Sequence, residues 1–312
     1  MKQLDRESTP LPGRILAVAN QKGGVGKTTT AISLAAALAV LERKVLLVDL
    51  DPQGNSTGGL GAGKDGPTVY EWLSGDAAFD SIARSTDLAC LTLLPANRDL
   101  VGAEVELVSA ERREYRLAER LAPVRGRFEF ILVDCPPSLG FLTLNALTAA
   151  DGVLVPIQCE YFALEGVSEL LATVDRVRES LNPDLAVEGI LATMWDERTN
   201  LSRQVLEEIR RFFGEKVFRQ VIPRNVRLGE APSFGKPIFL YDVRSRGAEA
   251  YLAVARELLE RSAAGVPRGA PAGATGAETT ETTVPTAPTV STVSTGTADT
   301  ADTAGRSGEE GT

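Results

Sequence analysis

The chain contains no histidine. That removes the commonest general base and metal ligand, so any catalysis has to rest on carboxylates, lysines, backbone groups and a metal ion. Cysteine is scarce, with only Cys90, Cys135 and Cys159. None belongs to a C-x-x-C pair, and their neighbours are apolar or strand-like, which favours buried thiols over a metal or redox centre. No run of about 18 apolar residues occurs, so no transmembrane helix is expected. The first stretch, Met1 to Gly13, is polar, carries Asp5 and Glu7, and lacks the apolar centre of a signal peptide. A cytosolic protein is the expectation.

What is present suffices for one large α/β domain: 312 residues, 43% of them apolar. The net charge of −9 taken alone argues against a nucleic-acid partner. Its distribution argues otherwise. Residues 197–262 hold 13 Arg and Lys against 9 Asp and Glu, whereas residues 263–312 hold 2 against 6. This last stretch is Ala, Gly, Pro, Thr and Ser with a few acids, and has no Leu, Ile, Met or aromatic residue. It cannot bury enough surface to offset its ordering entropy and is expected to be disordered. The expected organisation is a flexible extension over 1–13, one folded domain over 14–262 and a disordered acidic tail over 263–312.

Within the domain, apolar strand-like runs alternate with helical ones. Strands are expected at Ile15–Ala19, Val45–Asp49, Leu88–Leu94, Phe130–Asp134, Gly152–Pro156, Val187–Thr193 and Val217–Ile222. Helices are expected at Thr28–Leu41, Asp99–Leu121, Leu142–Ala149, Leu164–Ser180, Ser202–Phe213 and Arg246–Leu259. Several strands are continuous Val/Ile/Leu runs, the mark of a parallel sheet covered on both faces. The fold class is therefore α/β: a doubly wound, mostly parallel sheet with helices on both faces and ligand at the carboxyl ends of its strands.

Three motifs carry chemistry. In the first, Lys22, Gly23, Gly24, Val25, Gly26, Lys27, Thr28 and Thr29 sit between an apolar strand and a helix. That is the setting of a phosphate-binding loop of the P-loop NTPases, whose backbone N–H groups and helix N-terminus cradle anionic oxygens. Lys27 would reach the β- and γ-phosphates of ATP, and the Thr28 hydroxyl would ligate Mg²⁺. Lys22 is not required by the general pattern and narrows it to a class of dimerising ATPase. The second motif, Val45 to Asn55, delivers Asp49 and Asp51 two residues apart on a strand, so both leave on one face while the strand lasts. Asp51 then either orients an attacking water or only caps the turn before Pro52. The third, Phe130 to Ser138, is an apolar strand ending in Asp134, the place of the acid that holds Mg²⁺ through water.

These motifs, taken in order with Ile222–Ile238 (IPRNVRLGEAPSFGKPI) and Tyr241–Leu252 (YDVRSRGAEAYL), resemble the ParA/Soj chromosome- and plasmid-partitioning ATPases, within the MinD/ParA group with its deviant Walker A loop. The likeness covers about residues 14–260. It implies that Lys22 crosses a two-fold interface to the partner subunit's ATP, that Asp51 is the hydrolytic aspartate, and that Thr28 and Asp134 are the magnesium positions. Pro223 and Asn225 fall where the family contacts adenine. Arg198 and Arg227 match arginines used for sequence-independent DNA binding, with Arg224, Arg203 and Lys236 available to the same surface; the alternative for either is an ordinary surface ion pair. The resemblance further implies a slow ATP hydrolase, an ATP-dependent homodimer on double-stranded DNA, a ParB-type centromere-binding partner that stimulates hydrolysis, and a cytoplasmic, nucleoid-associated protein.

Three other readings compete. A MinD-like membrane-surface ATPase would need a basic amphipathic helix near its C-terminus, where this chain has an acidic Thr/Ala/Gly tail. An iron–sulfur carrier would need cysteines placed to bridge two subunits, and the three here are scattered. A metabolic ATP-dependent ligase would need a small-substrate pocket, of which the sequence carries no sign.

Overall fold

The computed structural model describes residues 13–63, 65–160 and 163–263. The extension before residue 13 and the tail from residue 264 lie outside the described residues. Seven strands form one sheet: β1 (Arg14–Val18), β2 (Val45–Asp49), β3 (Arg84–Ser85), β4 (Leu91–Leu94), β5 (Phe130–Asp134), β6 (Gly152–Gln158) and β7 (Ala186–Thr193). Their order across the sheet is β3-β4-β2-β5-β1-β6-β7. Every neighbouring pair is parallel except β3 with β4. The fold is the expected doubly wound α/β sheet. Because β5 inserts between β1 and β2, the carboxyl ends of these three strands converge where ligands of such sheets bind.

The strands are apolar on both sides, as a doubly covered sheet requires. On β1, Ile15 and Ala17 face one core and Leu16 and Val18 the other; β2 and β5 divide in the same way. Helix α1 (Lys27–Val40) is rich in alanine and buried along nearly its whole length. Alanine is the best helix former, and its small side chain lets the helix lie between the sheet and the closing helix, Arg246–Ala263. The two helices are joined by a buried hydrogen bond of 3.0 Å between the hydroxyls of Thr30 and Tyr251. No described helix is long and apolar enough to cross a membrane.

Two expected elements do not form as read. Asp99–Leu121 is not one helix but Leu100–Glu106, two 3-10 turns and Arg116–Leu121. None of the described side chains between Leu107 and Leu117 is buried, and Arg112 turns the chain with φ at 51°. No packing carries the helix through. Val217–Ile222 does not form a continuous strand: it touches β7 at its two ends, through the Ile190–Val217 bridge with Phe218 N–H on the Ile190 carbonyl at 2.9 Å and through Ile222 N–H on the Ala192 carbonyl at 2.8 Å, with the Trp195–Pro223 bridge following. Between those ends the buried Glu257 carboxylate takes the N–H groups of Arg219 and Gln220, at 2.9 and 3.2 Å, which diverts the middle of the segment from the sheet edge. The short antiparallel β3 and the short helices Asn55–Gly59, Val69–Ser74, Phe79–Ile82, Val226–Glu230 and Ile238–Tyr241 had no clear periodicity to reveal them.

A bulge between β6 and β7 skips Glu188 in the pairing, which frees its carboxylate to meet Arg14. The next residue, Gly189, lies against the buried Phe218 ring: an added Cβ would come within 2.4 Å of it. Gly189→Ala should destabilise the domain by about 1–3 kcal/mol, the usual cost of overpacking. Thermal unfolding would register this as a fall of roughly 2–4 °C per kcal/mol.

Candidate active site

Strand β1 ends at Val18 and the chain enters the glycine loop. Asn20, buried at its start, donates from Nδ2 to the Pro156 carbonyl at 2.7 Å and accepts the Lys22 N–H at 3.0 Å. This ties the loop to the end of β6. Gly24 and Gly26 have φ of 75° and 88°, a region only glycine enters without strain. Nothing lies within 4 Å of where a Cβ on Gly23 or Gly24 would sit, so the loop borders open space. Val25 is buried, and its carbonyl accepts the Thr193 hydroxyl at 2.8 Å. The first hydrogen bond of α1 runs from Thr30 N–H to the Gly26 carbonyl at 2.8 Å. The preceding N–H groups are left for an anion.

Lys27 opens α1 and is 7% exposed. Its Nζ donates to the Lys22 carbonyl across the loop at 3.0 Å. Burial lowers its pKa, and the nearby Asp134 and Asp51 carboxylates oppose that shift. The acids come from two adjacent strand ends: Asp49 and Asp134 are register partners on β2 and β5 and both are fully buried. Burial raises both pKa values, and for Asp134 the Asp49 charge adds to it. Asp49 is the better compensated, accepting the N–H and the hydroxyl of Thr57, both at 2.7 Å. Its role is to anchor the Asn55–Gly59 helix. Asp134 accepts the Ser56 hydroxyl at 2.8 Å and has the Thr28 hydroxyl beside it, but its buried Oδ1 has no hydrogen-bond partner.

An unpaired carboxylate oxygen next to a helix-terminal hydroxyl, under an anion cradle, fits a hard divalent cation such as Mg²⁺. Asp51 lies past the end of β2, 6% exposed, with Oδ1 accepting the Gln53 N–H at 2.9 Å. It does cap the turn, and that leaves its other oxygen free of the cap. Lys22 points elsewhere: its Nζ is 3.2 Å from Glu160 Oε2, with both side chains almost half exposed. Of the three cysteines, Cys135 and Cys159 are buried as expected, while Cys90 is only partly buried.

Beside the loop opens a cavity of about 430 Å³ lined by Gly26, Thr29, Met194, Pro223, Asn225 and Tyr251, among others. Pro223 and Asn225, expected at an adenine, are thus brought to the phosphate loop. Met194, with φ at 50°, ends β7 and turns the chain into the cavity wall. Neither it nor Tyr251 stands out as a site residue in the sequence, although Tyr251 lies within the Tyr241–Leu252 motif, since packing alone brings each to the cavity. The two expected DNA arginines lie close to these wall residues in the chain but do not line the cavity. Arg198 follows Met194 and clasps Asp196 with Nε at 2.9 Å and Nη2 at 2.7 Å, which holds the Asp196 pKa down to about 2. Arg227 lies on Val226–Glu230 and pairs with Glu230 at 2.9 Å. The two segments are joined by Trp195 N–H to the Ile222 carbonyl and Arg224 N–H to the Trp195 carbonyl, both 3.0 Å. Arg203 donates to Asn200, and Lys236 is exposed.

Known proteins place this geometry. A family model described as an AAA domain matches residues 13–187. The chromosome partitioning protein ParA of Myxococcus xanthus is 56% identical over 258 residues, covering 82% of this chain and 91% of that protein. The sporulation initiation inhibitor protein Soj of Bacillus subtilis is 56% identical over 248 residues, 79% of this chain and 98% of that protein. Among solved structures, cobyrinic acid a,c-diamide synthase from Mycobacterium smegmatis with bound ADP and magnesium superposes with a TM-score of 0.72 at 45% identity, covering 81% of this chain and 96% of that one.

Asp134→Asn preserves shape and removes the charge. It should weaken Mg²⁺-dependent nucleotide binding by about 10–100-fold, the range typical of residues that support a metal through its outer shell. Titration of a fluorescent ADP with and without Mg²⁺ measures this, and an unchanged Mg²⁺ dependence would take Asp134 out of the site.

Proposed function

The chain belongs to the ParA/Soj family of partitioning ATPases, and from that premise we propose that it is a nucleotide-gated grip on DNA. It is an ATP-hydrolysing enzyme with ATP and Mg²⁺ as its cofactors. In the proposed cycle, ATP seats its triphosphate on the Gly23–Thr29 backbone, with Lys27 neutralising the β- and γ-phosphates and the base in the cavity of Pro223 and Asn225. Bound Mg²⁺, held by Thr28 and through water by Asp134, supplies charge neutralisation on the phosphates. Asp51 orients the attacking water with the oxygen its turn leaves free.

Lys22 acts across a homodimer interface. Its ion pair with Glu160 is exposed on both sides, and such pairs contribute little, so the ammonium is easily surrendered to a partner's nucleotide. A cation supplied in trans makes closure depend on the triphosphate. The closed dimer holds double-stranded DNA through Arg198 and Arg227 without reading sequence, and a ParB-type partner stimulates the slow hydrolysis that releases it. The protein then works in the cytoplasm, on the nucleoid.

The observation that carries this reading is that the two stretches reaching the cavity wall, Thr193–Met194 and Ile222–Glu230, lead directly to Arg198 and carry Arg227, both with exposed side chains. The name of the synthase belongs to that protein; at 56% against 45% identity over a similar share of the chain, the partitioning proteins are the nearer relatives.

Binding of a short arbitrary duplex should require ATP, weaken steeply with salt, and be lost in Arg227→Ala, as fluorescence anisotropy with ATP, with ADP and without nucleotide would report. No binding in any state would return the membrane-surface and metabolic readings and leave only the ATPase assignment standing. Lys22→Ala should keep ATP binding and lose dimerisation, and Asp51→Ala should trap the ATP dimer. Light scattering decides the first, where an ATP-dependent dimer would remove the cross-subunit role. Phosphate release decides the second, where wild-type turnover would remove Asp51 from the mechanism.

A further inference from the structure

One carboxylate belongs to both surfaces. Glu230, at the end of the Val226–Glu230 helix, lines the base cavity together with Asn225, Gly229 and Tyr251. Its Oε2 accepts from Arg227 Nη1 at 2.9 Å and from the Tyr241 hydroxyl at 3.0 Å. Tyr241 is in turn stacked on Phe234, ring centroids 5.2 Å apart. The only other acid close to Arg227 among the described residues is Asp242, with 3.6 Å between Arg227 Nε and Asp242 Oδ2. Arg198 contrasts with this: its carboxylate, Asp196, is not part of the cavity wall.

We propose that Glu230 couples occupancy of the base cavity to the freedom of Arg227. An ionised carboxylate only accepts hydrogen bonds. Any donor a nucleoside brings to this wall, a ribose hydroxyl or the exocyclic amine of adenine, competes with Arg227 for the same group. In the free protein Glu230 neutralises the guanidinium. With a nucleoside bound it turns to the ligand, and Arg227 keeps the longer Asp242 contact and the neighbouring Tyr241 hydroxyl and becomes available to a phosphate. The proposal rests on the DNA-grip reading for its consequence, but its first half concerns nucleotide alone.

Coupling between two sites is reciprocal. If a nucleoside and Arg227 compete for Glu230, removing Arg227 must tighten nucleotide binding. ADP calorimetry on the full chain tests this without DNA and without hydrolysis. Arg227→Ala should bind ADP about threefold more tightly than the wild type, the size expected of an exposed ion pair. Glu230→Gln should bind it more weakly, and Arg227→Ala should then change nothing in the Glu230→Gln background. Unchanged or weakened binding in Arg227→Ala overturns the coupling. Inosine diphosphate in place of ADP locates the donor: tightening retained assigns it to the ribose, tightening lost assigns it to the base amine, and both support the proposal. In the DNA arm, Glu230→Gln should raise nucleotide-free duplex binding about threefold, again the weight of one exposed ion pair, and the double variant should lose that gain. Absence of the gain, in a wild type that does bind DNA with ATP, overturns the gating of Arg227. A wild type that binds no DNA in any state sinks the DNA-grip reading alone, and the calorimetry still decides the coupling.

Discussion

Two carboxylates buried side by side under an anion cradle set the terms for the rest of the site. Asp49 and Asp134 sit on neighbouring parallel strands with no exposure to water, an arrangement that desolvation and mutual repulsion both oppose. The structure meets part of that cost with donors. The Thr57 N–H and hydroxyl serve Asp49, and the Ser56 hydroxyl serves Asp134, while the buried Lys27 ammonium stands nearby. What remains unmet is one oxygen of Asp134. That oxygen lies at the place where a Mg²⁺-bound nucleotide would bring positive charge, so the geometry of the site suits that ligand.

The surrounding fold holds this cluster in place. The parallel register of β1, β2 and β5 brings the loop, Asp49 and Asp134 to one end of the sheet. The alanine-rich α1 can lie close against the sheet because it carries little side-chain bulk, and the Thr30–Tyr251 hydrogen bond ties it to the closing helix. Tyr251 also lines the base cavity, so the last described helix contributes directly to the nucleotide end of the molecule.

The basic surface is less simple than its charge count implies. Both expected DNA arginines are already engaged, Arg198 by Asp196 and Arg227 by Glu230. The surface ion-pair alternative thus describes these side chains as they stand, and the proposed DNA-binding role requires both pairs to open. Exposed pairs of this kind contribute little to stability and exchange readily for phosphate contacts.

Much of this was legible in the chain itself. Continuous apolar runs marked the buried strands β2, β5 and β6, and the glycine loop with Lys27 and Thr28 marked the phosphate site, because its chemistry is carried by adjacent residues. Asp51 and Asp134 were legible because each follows an apolar strand within a residue or two. Sequence reading failed where non-local contacts decided. Glu257, far along the chain, takes the backbone donors that would have made Val217–Ile222 a strand. The stretch after Leu107 finds no core to pack on and breaks. The chain alone thus determined the glycine loop and the helix it opens, since that requires only a local turn and helix. Tertiary structure decided that Tyr251, Met194 and Glu230 share a wall with them, and which carboxylate each arginine meets, because those contacts exist only once distant segments pack together.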